Sequence, residues 1–299
     1  MIINAGTLRS LFIAFSAAFR AGLGMAPSNY QRIATVVAST TKSNEYGWLG
    51  KFPKMREWLG DRVINGMASH GYTIRNKPFE LTVGVDRDDI DDDNIGIYTP
   101  MMTELGQSAG EHPDELVFGL LKAGASTLCY DGQNFFDTDH PVLDENGVVQ
   151  SQSNWNNNSG SGTAWYLLDT SRALKPLIFQ ERKKPNFVSQ TAETDANVFE
   201  RREYVYGVDS RCNVGFGFWQ QAYGSRATLD EAGLIAAYTA MTERKGDHGR
   251  TLGVQPTLLV VPPGLKFTAL KLVNAGTLAN GADNVMKGLV EVLADPRLA

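Results

Sequence analysis

Residues 113–141, PDELVFGLLKAGASTLCYDGQNFFDTDHP, constrain the chain most, because they set a helix directly before a hairpin. Pro113 suits a first helical turn, and Asp114 and Glu115 sit where the positive end of the helix dipole favours acids. Leu116, Leu120 and Leu121 follow at helical spacing with Val117 beside them, so one face is apolar, and Gly124 offers a stop. Residues 127–130, an Asp131-Gly132 turn and the pair Phe135 and Phe136 predict a hairpin. Such a helix and hairpin make a packing unit. They do not by themselves make a reactive one.

Charge and cysteine usage narrow the function classes. The formal net charge of −5 argues against a chain whose main task is neutralising nucleic-acid phosphates. The two cysteines, Cys129 and Cys212, lie far apart and outside any CxxC spacing. A disulfide framework is therefore not expected, and a reducing cytoplasm fits. Residues 11–19 (LFIAFSAAF) have the length of a signal-peptide core, yet Arg20 follows at once and no small-x-small cleavage site appears. Leu8, Leu11, Phe12, Phe15 and Phe19 fall on one helical face, which predicts an amphipathic helix docked on the body or on a neighbouring subunit. No run is read as long enough to span a bilayer, and no membrane partner is expected.

Residues 46–58, YGWLGKFPKMREW, carry two tryptophans, and short strand pieces follow at 62–64 and 72–74. Phe79, Leu81, Val83 and Val85 alternate with polar residues or glycine, a half-buried strand. The region 46–86 thus reads as a long β-arm, and a lone two-stranded hairpin is marginal in water. Either the arm packs on its own domain or its aromatics meet another copy. On the second reading Trp48, Leu49, Phe52, Met55 and Trp58 join Leu11, Phe15 and Phe19 as candidate inter-subunit contacts. Residues 86–94 (DRDDIDDDN) lack the spacing and central glycine of a calcium loop, so helix capping is the reading. A helical segment interrupted by Pro100 runs over 101–109, and His112-Pro113 breaks it from the next helix.

Asp137, Asp139 and His140 offer carboxylates and an imidazole to a metal, but a turn held by aspartate side chains before Pro141 explains them too. Residues 150–163 form a polar low-complexity loop. Strands are expected at 165–168 and 177–179, with a basic turn at 181–185 and the richest β-like segment at 198–222. GFGFW at 215–219 has strand-like flanks, so it is no phosphate loop. The capping box at 228–231 opens a helix through 241. A loop at 246–250, a strand at 257–261, a helix at 265–273 and a strand at 289–293 make 226–299 a candidate second domain. No cofactor is expected.

With these segments laid out, the chain resembles the major head subunit of Mu-type tailed phages and prophages, the gpT family. The resemblance rests on YGWLGKFP at 46–53, DDDNIGIYTP at 91–100, HPDELVFGLLKAG at 112–124, CYDGQNFFDTDHP at 129–141, KPLIFQERKKP at 175–185 and GFGFWQ at 215–220. That family is similar in fold to the Hong Kong 97-type capsid proteins. The resemblance implies an α+β, Hong Kong 97-like capsid fold with an N-terminal arm (1–45) and an extended loop (46–86). A peripheral domain with a spine helix (87–225) and an axial domain (226–299) would follow. In the commoner version of the fold a strand-rich segment like 175–222 closes the chain, whereas here it precedes the axial-like block.

The function implied is structural. Copies would self-assemble as hexamers and pentamers into an icosahedral head in the host cytoplasm and enclose double-stranded DNA without sequence preference. The implied partners are a scaffold, a maturation protease and a portal, with room for decoration proteins. Two other readings stand beside it: a metal-dependent hydrolase using Asp137, Asp139 and His140, and a self-associating decoration or tail component.

Overall fold

The computed structural model describes residues 3–47, 49, 71–92, 94–277, 281 and 283–299. Helix α1 (Ala5–Met25) opens on Asn4, whose side chain accepts from the backbone of Gly6 and Thr7 while Thr7 returns a bond, a reciprocal cap. By length and apolarity α1 could cross a membrane, so the reading that no run reaches that length is corrected. Its Leu11, Phe15, Ala18, Phe19 and Gly22 are nonetheless buried in the protein's own body. A single turn, α2 (Tyr30–Ile33), leads into strand β1 (Ala34–Ala38). Strands β2 (Ser43–Glu45) and β3 (Thr73–Arg75) then pair antiparallel and bring the two ends of the intervening segment together. The expected strand at 62–64 lies outside the described residues.

Strand β4 (Lys77–Asp86) confirms the alternating run, and Asp86 caps the five-residue α3 (Arg87–Asp91) as the acidic stretch suggested. The long helix α4 (Tyr98–Lys122) departs from expectation. Pro100 sits in its first turn, where a missing N–H costs nothing, and Pro113 lies inside it without ending it. The physical reason is packing on both sides of the proline. Met102 and Leu105 enter one apolar core with α1, while Val117, Phe118 and Leu121 enter a second.

The hairpin after α4 is present with one bridge, Leu128 to Asn134, and Gly132 adopts φ 87° at its tip. The region 150–163 is more ordered than its composition predicts. Strand β5 (His140–Leu143) pairs with β6 (Val149–Gln152), β7 (Trp155–Asn156) follows, and Asn154 between them is fully buried. Strand β8 (Trp165–Leu168) precedes two long strands, β9 (Leu177–Gln190) and β10 (Glu203–Phe216), with α5 (Ala196–Arg201) at their connection. The basic turn expected at 181–185 is instead part of β9. Pro185 falls where the β9–β10 register shifts, a place in a sheet that tolerates a missing donor. Residues 198–201 are helical, not strand.

Strand β11 (Ala222–Ser225) leads to α6 (Glu231–Thr242), whose cap is Asp230, accepting from Gly233, and not Thr228. A small hairpin, β12 (Lys245–Gly246) with β13 (Arg250–Thr251), replaces the expected loop. Strand β14 (Leu258–Val261), helix α7 (Lys266–Asn274) and strand β15 (Glu291–Ala294) complete the chain.

Two sheets carry the body. One has the order β1-β9-β10-β4, the other β15-β14-β8-β11-β7. The second sheet draws three of its five strands from before residue 226, so the 226–299 segment does not close on itself. Strands β8 and β14 are buried on both faces. Tyr166, Leu168, Leu258 and Val260 point into the core that holds the end of α4, while Trp165, Leu167, Leu259 and Val261 point into the core under α6 and α7. A strand period of two thus joins the two halves.

Candidate assembly surfaces

The candidate inter-subunit residues divide. Trp48, Phe52, Met55 and Trp58 lie outside the described residues. Leu11, Phe15, Phe19 and Leu49 are between 0% and 7% exposed within the single chain. Side chains already withdrawn from water within one chain have little surface left for a neighbour. Phe15 meets Tyr206 edge-on at 5.1 Å, and Phe12 and Phe19 stack on Phe187. Helices α1 and α4 approach closely through glycine: a Cβ on Gly22 would stand 1.8 Å from the Thr103 carbonyl oxygen, and one on Gly106 2.0 Å from that of Phe19. The apolar stripe of α1 is legible in side-chain spacing, but its partner is not.

Beside strands β2 and β3 lies a buried polar network that sequence reading missed. Tyr46 Oη donates to Gln180 Oε1 at 2.7 Å, and Gln180 Nε2 donates to Ile74 O at 3.1 Å and Asn76 Oδ1 at 2.8 Å. Asn76 Nδ2 donates in turn to Ser39 Oγ at 2.8 Å and Thr41 O at 2.9 Å. Burial pushes the Tyr46 and Tyr72 hydroxyls up to about 12, so both stay protonated as donors or neutral acceptors. Tyr72 Oη accepts from Phe216 N at 2.8 Å, which ties the returning limb to β10. Satisfied polar networks in a dry core fix one geometry. The two strands β2 and β3 are therefore held in one geometry.

Large apolar side chains elsewhere remain in water: Phe199 on α5 at 83%, Phe267 on α7 at 76%, and Val285 at 78%. Their exposure follows from tertiary placement, which no local pattern announces. An open groove of about 860 Å³ runs beside α7, lined by Leu229, Phe267, Leu270 and Lys271 among others.

The residues proposed for a hydrolase do not converge. His140 Nδ1 faces Asp131 Oδ2 at 2.7 Å, not Asp137 or Asp139, and its ring stacks on Trp219 at 3.9 Å. Asp139 is exposed, and its carboxyl is raised chiefly by the hydrogen bond shared with Asp137. Asp137 accepts from Asn134, the aspartate-held turn that sequence suggested. Burial pushes the Asp131 carboxyl up, but bonds from His140 and Cys129 outweigh it and hold it below the usual carboxylate range. The Cys129 thiol is pushed up by burial and by the Asp131 charge.

A buried polar network beside β2 and β3 and apolar side chains exposed on separate elements fit one class of protein, a structural subunit that meets several neighbours. The chain belongs to the Mu-like prophage major head subunit gpT family, whose model matches residues 8–298. It is 47% identical to the major capsid protein of Escherichia phage Mu, with 99% of each chain covered. It is 50% identical to the FluMu major head subunit of Haemophilus influenzae over 89% of this chain and 88% of that one.

Solved structures agree. A chain of the bacteriophage JBD30 procapsid matches with a TM-score of 0.87 and 55% identity, over 99% of this chain and 100% of that one. A JBD30 capsid chain matches at 0.79 and 41%, over 100% of both. A JBD30 capsid decorated with minor capsid protein trimers matches at 0.77 and 42%, over 94% of both. The α+β architecture is therefore the Hong Kong 97-like capsid fold, and the chain is a phage head protein and virion component that assembles with itself into a shell. Family membership places it among structural proteins and not among enzymes.

Proposed function

We propose that copies of the chain build an icosahedral shell as hexamers and pentamers, each gripping its neighbours through the arm between β2 and β3. The observation that supports this reading is the buried network at Tyr46, Gln180 and Asn76, which holds β2 and β3 together at the two ends of the intervening segment. Apolar exposure on α5 and α7, elements of different cores, supports several neighbours per copy in preference to one partner. In this reading residues 87–225 and 226–299 serve as peripheral and axial domains that share the five-stranded sheet. Scaffold, protease and portal are the partners such assembly requires, with decoration proteins on the outer face and assembly in the host cytoplasm. A net charge of −5 supports a container that holds packaged DNA loosely, since a strongly basic lining would bind the polymer.

Replacing residues 51–69 by a short Gly-Ser linker tests this, because it spares Tyr46, Leu49 and Tyr72. The expected product is a folded, soluble subunit that forms no shells by electron microscopy when expressed with its phage neighbours. Shells of normal size from this variant would refute the arm's role.

A further inference from the structure

We propose that Cys129, Asp131 and His140 form a three-ligand site for a divalent transition metal of the zinc class, one per chain, its fourth position left to water, which staples the hairpin after α4 to the start of β5. One ligand atom from each residue lies within 4.8 Å of the other two, and together they present sulfur, oxygen and nitrogen, the donor set zinc takes. Asp131 stands between the others, with Oδ1 3.0 Å from Cys129 Sγ and Oδ2 2.7 Å from His140 Nδ1.

The outer nitrogen of His140 is held as a metal-binding histidine's usually is. His140 Nε2 faces Asn154 Oδ1 at 3.3 Å. The orientation of that amide is fixed independently: Asn154 Nδ2 donates to Phe135 O at 2.7 Å, and Oδ1 also accepts from Asp137 N at 2.8 Å. Nε2 therefore donates to Asn154, which leaves Nδ1, on the side of Asp131 and Cys129, as the nitrogen a metal would take. A hydrogen bond on the far nitrogen that sets the tautomer is what a ligating histidine needs.

Charge gives the second argument. A divalent ion held by a thiolate, a carboxylate and a neutral imidazole has its two charges matched by two negative ligands, so no uncompensated charge is buried. The displaced thiol proton goes to solvent. Entry is by the Asp131-Gly132 turn, where the Asp131 side chain retains 9% exposure.

The test is a Co²⁺ titration of the full-length, reduced, unassembled chain after chelator treatment. A thiolate-to-cobalt absorption band saturating at one ion per chain is expected, with proton release on binding. Cys129→Ser should abolish the band and weaken binding by at least ~10–100-fold, since even an outer-shell partner is worth that much. Cys212→Ser should leave the band unchanged. No band in excess Co²⁺ with the chain folded would show that protons alone close the network, and the proposal fails. A band that survives Cys129→Ser would place the metal elsewhere and equally overturn it.

Discussion

The same substitution at two glycines of α4 should have opposite signs. Gly119 is exposed on the helix, and a Cβ there would meet nothing within 4 Å. Gly119→Ala should therefore stabilise the subunit by about 1 kcal/mol, the helix-propensity difference alone. Gly106→Ala earns the same propensity gain, but its Cβ would stand 2.0 Å from Phe19 O and 2.8 Å from Leu23 N, where an ordinary contact begins at 3.4 Å. Helix α1 would have to retreat by more than an ångström, because the obstruction is backbone and cannot rotate away. That retreat loosens Phe15 from Tyr206 and Phe19 from Phe187. Overpacking costs ~1–3 kcal/mol, and a backbone obstruction belongs at the upper end, so the net loss should be about 2 kcal/mol. Urea denaturation at concentrations too low for shells to form reads both values. The two midpoints should move in opposite directions at unchanged slope. If Gly106→Ala stabilises as Gly119→Ala does, the close crossing of α1 and α4 is wrong.

Gln180→Ala removes three hydrogen bonds at the arm's root, and at ~1 kcal/mol each the subunit should lose about 3 kcal/mol in the same assay. A loss under ~1 kcal/mol would show that the network does not hold the root. Asp114 provides a pH test. Burial raises its carboxyl above the ordinary range, against the backbone donors of Asn29 and Tyr30 and the Arg297 charge. The folded state then binds this proton more tightly than the unfolded chain does. The contribution is greatest below the ordinary carboxylate value and is lost as pH rises through the folded one. The stability difference between the natural chain and Asp114→Asn should shift against the natural chain from acid toward neutral pH, and the opposite slope would refute the assignment.

How much was legible in the sequence depended on the range of the interactions involved. The stripe of α1, the alternation of β4 and the apolar runs of β8 and β14 follow from side-chain spacing, which a chain carries locally. So does the aspartate turn at 137–139. The continuation of α4 through Pro113 did not, because packing on two cores outweighs the missing hydrogen bond. Nor did the strand through 181–185, which a partner strand extends past its proline. His140 shows the same limit from the side of chemistry: its neighbours in sequence are aspartates, but its ring is held by Asp131 and Asn154. Sequence alone determined the elements, the acidic balance and, through its shared motifs, the family of shell proteins. Only the tertiary structure decided which apolar faces the chain buries in itself and which it leaves exposed, because that choice belongs to residues distant in the chain and near in space.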